Sequence, residues 1–198
     1  MVKDITAAIR PAIVMTLLFA ALLGIAYPAL LTGIGQIAFP AQANGSLVRN
    51  GGRVVGSSLI GQQFASPGYF HGRPSAAGRG YDASASSGSN LGPTSKALVS
   101  RVSADLAAMH HSSTSPAPAD LVTASASGLD PDISPEAASW QVDRVAAARG
   151  LPVGTVRALV TNQMRKPLLG IIGERRVNVL LLNRALDSLP RTGAKAVE

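Results

Sequence analysis

The sequence predicts an α+β protein in which one N-terminal transmembrane helix precedes a single soluble domain of short strands and several helices. No charged residue lies between Arg10 and Arg49, and most of that stretch is apolar. After it, short β-branched segments bounded by turn residues are followed by segments with helical periodicity. A length of 198 residues fits one core-forming domain plus an anchor.

The apolar segment is long enough to cross a bilayer. From Ala12 to Phe39 it contains few polar residues, whereas a spanning helix needs only about 20 apolar ones. Ala41 and Ala43 resemble a signal-peptidase site, so a cleaved signal peptide is the alternative. Signal peptides normally carry an apolar region of only about 7–15 residues, which favours a retained anchor. We expect Pro28, which has no amide hydrogen, to kink the helix.

Flanking charges predict which side of the membrane each part occupies. Lys3 and Arg10 lie before the apolar segment, and Arg49 and Arg53 lie after it but farther away. The nearest charges are thus on the N-terminal side, and a long domain is translocated largely regardless of its own charges. The N-terminus is therefore expected inside and the domain outside. The predicted regions are a cytoplasmic N-terminus (1–10), the anchor (11–39), a soluble extracytoplasmic domain (40–189) and a flexible tail (190–198).

The soluble domain is predicted to begin with two strands, Ser46 to Val48 and Val54 to Ile60. Asn50-Gly51 lies between them and is a hairpin signal, because both residues tolerate positive φ. Leu121 to Ser125 is compatible with a further strand. Helices are predicted to begin at Pro93, at Pro135 after an N-capping Ser134, at Pro152 and at Val177, with a loop from Pro167 to Glu174.

The long irregular stretch from Gln62 to Gly92 is either an ordered functional loop or a linker. It is rich in glycine, serine and proline, but it also contains Tyr69, Phe70 and Tyr81. Clustered aromatic residues indicate order, since a flexible linker has no use for them.

Composition excludes several functional classes. The net charge of +7 could suggest nucleic acid, but the arginines are scattered and no aromatic stacking platform accompanies them. A basic balance also suits a domain beside anionic lipid headgroups or an acidic partner. Without cysteine, the chain has no disulfide, thiolate nucleophile or cysteine-ligated metal.

No motif in the sequence predicts independent catalysis. His110 and His111 are adjacent and His71 is remote, so no metal site is predicted. The serine-rich run Ser84 to Ser95 could form an anion-binding nest before a helix, or a hydrogen-bonded structural loop. It has no Walker A ending, and no Gly-x-Ser-x-Gly elbow occurs in the chain.

The order of several longer blocks is more specific than any one of them. The anchor is followed by FPAQANGSL, GSSLIGQ, YFHGRPSA, ASSGSNLGPTS, TASASGLDPDISPEAA and RVNVLLLN. This succession resembles the C subunit of the Kdp-type bacterial potassium-transporting ATPase over nearly the whole chain. Asp132 stands where that family's block usually has histidine, and Arg175 departs from its common Gly-Glu-Pro.

The resemblance implies a non-catalytic subunit of an inner-membrane complex. In that family a channel-like subunit carries potassium, a P-type subunit hydrolyses ATP, and a very small helical subunit accompanies them. The C subunit is described as raising the ATP affinity of the hydrolysing subunit, as a catalytic chaperone. No cofactor of its own is implied, and any ATP would be bound in complex with the hydrolysing subunit.

Two sets of contact residues are predicted. If a nucleotide binds this chain, Trp140 could stack on the adenine and Gln141 could read its edge; otherwise Trp140 belongs to the core and Gln141 faces solvent. A stand-alone tethered module for an anionic envelope polymer is the alternative function. Contacts with the other subunits are predicted at Gly24, Gly33, Tyr69, Phe70 and Arg73.

Overall fold

The computed structural model describes residues 2–109, 115–167 and 169–190. Contacts divide the chain into two units, Met1–Leu47 and Val48–Glu198. The predicted domain boundary lay after Phe39, but the next residues belong with the first unit. The Asn44 side chain donates to Gln36 Oε1 at 3.0 Å and to the carbonyl of Pro40 at 2.7 Å, which ties this short segment to the helix before it.

The first unit is a helix with one irregular turn. Helix α1 (Val2–Ala21) passes into a π-helical turn (Leu22–Ala26) and then α2 (Tyr27–Ala38). Pro28 has no N–H for the carbonyl of residue 24, and its ring crowds that carbonyl, so a wider turn forms before it. The irregularity that we expected at Pro28 is therefore a π turn.

This helix is a candidate membrane span. The 33 residues Thr6–Ala38 are long and apolar enough to cross a membrane, and none of their most apolar stretch is buried. At about 1.5 Å per residue it is roughly 50 Å long, more than a ~30 Å hydrocarbon core requires. A short helix α3 (Pro40–Ala43) follows.

The second unit contains five short strands and four helices among the described residues, which confirms the α+β class. The first two strands form one sheet, and the other three form an antiparallel sheet in the order β3-β5-β4. The strands are β1 (Leu47–Asn50), β2 (Arg53–Ser57), β3 (Asp132–Ile133), β4 (Met164–Arg165) and β5 (Arg176–Asn178). The helices are α4 (Lys96–Ala108), α5 (Pro135–Arg149), α6 (Val153–Gln163) and α7 (Val179–Asp187).

Several predicted boundaries were wrong. The first hairpin turns at Gly51-Gly52, whose φ values of +54° and +84° fit a two-residue type I′ turn better than Asn50-Gly51 does. No strand forms at Leu121 to Ser125, where we allowed one, and Leu121 ends a 3₁₀ turn (Ala119–Leu121). Helix α4 begins after Ser95, not at Pro93. The last helix begins after Asn178, since the two residues before it complete a strand.

The core lies between α5, α6, α7 and the three-stranded sheet. Helix α5 begins as predicted, since the Ser134 hydroxyl accepts from the N–H of Ala137 at 3.0 Å, and it ends at Gly150 with φ of +65°. It packs on α6, which packs on α7. The core side chains are mostly valine, leucine and alanine from these elements, joined by Phe70 from the long loop.

Candidate functional site

We call Tyr69 to Pro74, the part of the long loop predicted to contact a partner, the aromatic loop, and its backbone is hydrogen-bonded to side chains of the core. Phe70 is completely buried. Its N–H donates to Asn183 Oδ1 at 2.9 Å, and Asn183 Nδ2 donates back to its carbonyl at 2.9 Å. The carboxamide of α7 thus pairs with this residue as a neighbouring strand would. The Phe70 side chain is not available to a partner in this conformation, which corrects our prediction for it.

Gln141 holds the next residue of the loop in the same way. The N–H of His71 donates to its Oε1 at 2.8 Å, and its Nε2 donates to the carbonyl of His71 at 3.1 Å. Arg144 adds a donor to Oε1, and the carbonyl of Ala137 accepts from Nε2. Only 2% of Gln141 is exposed. Its hydrogen-bonding capacity is filled inside the domain, so it neither faces solvent nor offers an amide edge to adenine.

Tyr69 lies at the edge of the core and joins the loop to α5 and α7. The guanidinium of Arg149 lies 4.5 Å from the Tyr69 ring centre, a cation–π contact. The Tyr69 hydroxyl donates to Asp187, and Arg149 also pairs with that carboxylate at 2.8 Å. The side chain is only partly buried, so its role in partner contact stays a prediction.

Arg73 fixes the far end of the loop. Its Nη1 lies 3.0 Å from Asp130 Oδ2, and its Nε donates to the carbonyl of Thr123. Its own carbonyl accepts from the Tyr81 hydroxyl at 2.5 Å. Burial, together with the nearby Asp130 charge, raises the pKa of Tyr81 to about 12, so this donor keeps its proton. About a quarter of the Arg73 side chain is exposed, and its predicted partner contact is untested.

Trp140 lines two concave regions of the domain. The larger is an open cleft of about 1080 Å³ whose described walls carry three arginines, Arg73 among them, and five acidic residues. The smaller, about 350 Å³, is mainly apolar and also receives His71 and Arg144. The Trp140 Nε1 donates to the carbonyl of Ser115 at 3.4 Å, and part of the indole stays accessible. An indole in this position can stack on a planar ligand.

His71 in the smaller cavity is a neutral donor. Its Nε2 lies 3.0 Å from the carbonyl of Ser66, which can only accept, so that nitrogen carries the proton. Burial lowers the pKa of His71, the hydrogen bond to Ser66 opposes the shift, and the Arg144 charge adds to it. Burial also lowers the pKa of Arg144.

The structure supports no metal centre in the part of the chain that it describes. No three His, Asp or Glu side chains converge there. His71 is committed to the loop, while His110 and His111 lie outside the described residues, as does most of the predicted tail.

The serine-rich run forms a hydrogen-bonded loop. The Asp82 side chain accepts from the N–H and the hydroxyl of Ser84. The Ser86 hydroxyl and the N–H of Ser87 both donate to the carbonyl of Ser127, each at 3.0 Å. These contacts favour the structural alternative over an anion nest.

The anchor glycines present open surface within their own unit. A Cβ built on Gly24 or on Gly33 would meet nothing within 4 Å. They are nine residues apart, which on a regular helix is about two and a half turns. A regular spacing would put them on opposite sides of the anchor, but Gly24 lies in the π turn, which changes that angle, so their contact with partner helices stays a prediction.

Comparison with known proteins decides the family. Residues 9–188 match the family model described as "KdpC: K+-transporting ATPase, c chain". The chain belongs to the KdpC family. Proteins named "Potassium-transporting ATPase KdpC subunit" are similar to it over most of their length. They include one from Caulobacter vibrioides (61% identical; 91% of this chain and 92% of the relative), one from Gemmatimonas aurantiaca (58%; 93% and 94%) and one from Nitratidesulfovibrio vulgaris (57%; 91% and 94%).

One of the two departures from the KdpC family pattern has a clear structural role. Asp132 Oδ2 lies 3.0 Å from Arg176 Nε, and its Oδ1 accepts from Asn178 Nδ2 at 2.9 Å. The carboxylate thus connects β3 to β5. Arg175 is exposed and makes no ion pair with a described residue.

Sequence reasoning missed the two buried asparagines of the KdpC block RVNVLLLN. Asn178 caps α7, accepting from the N–H of Leu181 at 3.1 Å, and donates to the carbonyl of Ser58 at 3.0 Å. Asn183 holds Phe70. Both are at most 2% exposed. An amide residue within an apolar run was the available signal, because buried amides are retained where they have partners.

Proposed function

We propose that this chain is a non-catalytic accessory subunit of an ATP-driven, high-affinity potassium uptake complex in the bacterial inner membrane. The family match over residues 9–188 carries the proposal. Its partners are the channel-like potassium-binding subunit, the ATP-hydrolysing P-type subunit and the small helical subunit. Its role is to assist assembly and to raise the ATP affinity of the hydrolysing subunit.

We place the N-terminus in the cytoplasm and the soluble domain outside it. Lys3 and Arg10 precede the candidate span, and the positive-inside rule keeps that flank in the cytoplasm. The domain then shares no compartment with ATP. Any rise in ATP affinity is a coupling free energy transmitted through the anchor and its partner helices.

Direct nucleotide contact has weaker support. Gln141 is saturated by the aromatic loop and by Arg144, so of the predicted pair only Trp140 retains a surface for stacking. An indole alone cannot select adenine, because selection requires hydrogen bonds to the edge of the base. The coupled mechanism is therefore the one proposed.

Surface labelling tests the topology. Because the chain has no cysteine, one introduced at the exposed Ser103 of α4 is a unique reporter, and one at Val2 reports the other end. With intact spheroplasts, a membrane-impermeant thiol reagent should label Ser103→Cys and leave Val2→Cys protected. Both should react after permeabilisation, which is the control.

The reverse pattern would put the domain beside ATP and contradict the coupled mechanism. If the pattern holds, replacing the anchor with an unrelated helix should abolish the effect on ATP affinity while the domain stays bound. If the complex with that chimaera has the same ATP affinity as the complex with the original chain, coupling through the anchor is also contradicted.

Co-purification tests assembly. Gly24→Leu and Gly33→Leu are made singly, so that each position is tested by itself. Close helix contact in lipid requires small residues, so at least one variant should reduce recovery of the complex. Ile34→Leu, which preserves side-chain volume, should not. A chain that never co-purifies with large membrane partners would support the tethered polymer-binding module instead.

A further inference from the structure

The hairpin formed by β4 and β5 exposes bulky apolar side chains at its end. Leu169 and Ile171 are 82% and 83% exposed, the highest values for large apolar residues among those described in the second unit, and Ile172 is 58% exposed. We call these three residues the apolar tip. A cluster of this kind on a soluble domain indicates an interaction surface.

Four basic residues flank the apolar tip and form what we call the cationic neck: Arg165, Lys166, Arg175 and Arg176. Arg165 lies directly opposite Arg176 in the β4–β5 register, an arrangement of like charges that destabilises a strand pair. Arg176 is paired with Asp132, whereas the other three are exposed and make no ion pair with any residue that the structure describes. Glu174 is the one acidic residue of the segment from 165 to 176, whose net charge is therefore +3.

An apolar end with cations behind it has the chemistry of a bilayer interface. Bulky aliphatic side chains enter the boundary between headgroups and acyl chains, while lysine and arginine remain among the headgroups. Anionic lipid contributes about 1 kcal/mol for each such cation near the surface. The three cations of the neck without an ion pair thus complement an anionic headgroup layer, while Arg176 is balanced by Asp132.

The chain keeps its domain close to such a surface. The candidate span ends at Ala38 and β1 begins at Leu47, so eight residues join them. Four of them form α3, and even fully extended the eight would reach only about 27 Å. A tether this short raises the effective concentration of lipid around the domain, so even a weak insertion is populated.

We propose that the apolar tip inserts into the anionic lipid interface of the membrane that holds the anchor, with the cationic neck on the headgroups. The domain then has a second attachment to the bilayer, which limits its rotation about the tether. The inference rests on the anchor spanning a membrane, as in the proposed function, but not on the identity of the partner subunits.

Quenching by brominated lipid tests the insertion. The full chain carries one environment-sensitive fluorophore at Ile171→Cys and is reconstituted into vesicles of brominated phosphatidylcholine, with or without phosphatidylglycerol. We expect quenching and a blue-shifted emission in the anionic vesicles. The matched control is Val153→Cys at the start of α6, also an exposed apolar position, which should remain unquenched.

The neck is tested in the same labelled background. With both Lys166→Gln and Arg175→Gln, the ratio of inserted to free tip should fall about five-fold for each cation removed, the equivalent of about 1 kcal/mol each. Arg165 and Arg176 are left unchanged because they belong to the sheet. Near-ultraviolet circular dichroism of Trp140, the only tryptophan, confirms that each variant is folded.

Three results would overturn the proposal. The first is a folded chain whose Ile171 probe is not quenched in anionic vesicles. The second is quenching of equal extent with and without phosphatidylglycerol. The third is a probe in the whole complex that is shielded from an aqueous quencher but not reached by brominated lipid, which would make a protein the occupant. A chain that is quenched yet fails to co-purify with the pump contradicts the proposed function and leaves this inference standing.

Discussion

The long loop from Gln62 to Gly92 and the hairpin connection after Lys166 are both irregular and both contain bulky apolar residues. The first places Phe70 at 0% exposure, and the second leaves Ile171 at 83%. The difference lies in the backbone. The long loop is held by two buried carboxamides, whereas the hydrogen bond shown within the hairpin connection runs from the N–H of Gly170 to the carbonyl of Pro167.

This contrast shows that apolar content does not decide whether a loop enters the core. A buried loop must satisfy its N–H and C=O groups, because each one left unpaired destabilises the fold. Asn183 and Gln141 provide those partners for the aromatic loop. Without such partners a loop stays at the surface, and its apolar side chains are available to contact lipid or another protein.

Removing one carboxamide should have the largest effect on stability. Asn183→Ala leaves the N–H and the carbonyl of Phe70 unpaired in the core, at roughly 1–3 kcal/mol for each group. We expect a loss of roughly 2–6 kcal/mol in the free energy of unfolding, measured by denaturant titration of the full chain in detergent. Asn162→Ala on the exposed side of α6 is the matched control, with an expected change within about 0.5 kcal/mol. Equal effects would mean that the carboxamide does not hold the loop.

Removing the buried ring should have an effect of similar size, with a lower upper bound. Phe70→Ala should cost about 3–5 kcal/mol in the same titration, because it removes a large core side chain and leaves a cavity. Ile171→Ala, at the hairpin tip, should change stability by no more than about 0.5 kcal/mol. A small loss of stability for Phe70→Ala would indicate that its ring is not part of the core, and Phe70 would again be a candidate partner contact.

The smallest effect is a pH dependence carried by His71. Burial lowers its pKa in the folded domain, whereas an unfolded histidine titrates near 6.5. Below that pH the unfolded chain binds a proton that the folded chain resists, so the free energy of unfolding falls as the pH drops below about 6.5. The loss stops growing once the folded pKa is passed.

Replacing the imidazole isolates this contribution. The difference in the free energy of unfolding between His71→Gln and the unchanged chain should vary with pH below about 6.5 and be constant above it. A difference that stays constant across the whole range would show that burial does not perturb this histidine.

Much of the fold was predictable because its signals are local. The capping Ser134, the helix-ending Gly150 and the uncharged anchor segment each act through neighbouring residues, and the structure confirms them as elements. The two-residue strands were not predictable, because a pairing such as Ile133 with Val177 depends on residues far apart in sequence. A strand of two residues is also too short to show the alternation of apolar and polar residues by which strands are recognised.

The candidate contact residues show the same limit. Aromatic character marked Phe70 as important, but its sequence neighbours could not say whether it faced a partner or the core. For Gln141 the sequence left two readings, contact with a base edge if a nucleotide binds and exposure to solvent otherwise. The deciding partners, on α5 and α7, are 70 and 113 residues further along the chain from the groups they bind.

The sequence by itself determined a candidate membrane-spanning helix, a separate α+β domain and the resemblance to the family that comparison then showed. Continuous apolar length, helix caps and ordered motifs do not depend on how the chain is packed. Only the tertiary structure decided which loop is core and which is surface. That choice depends on whether distant polar side chains satisfy the backbone of the loop, and their positions are fixed only when the helices pack together.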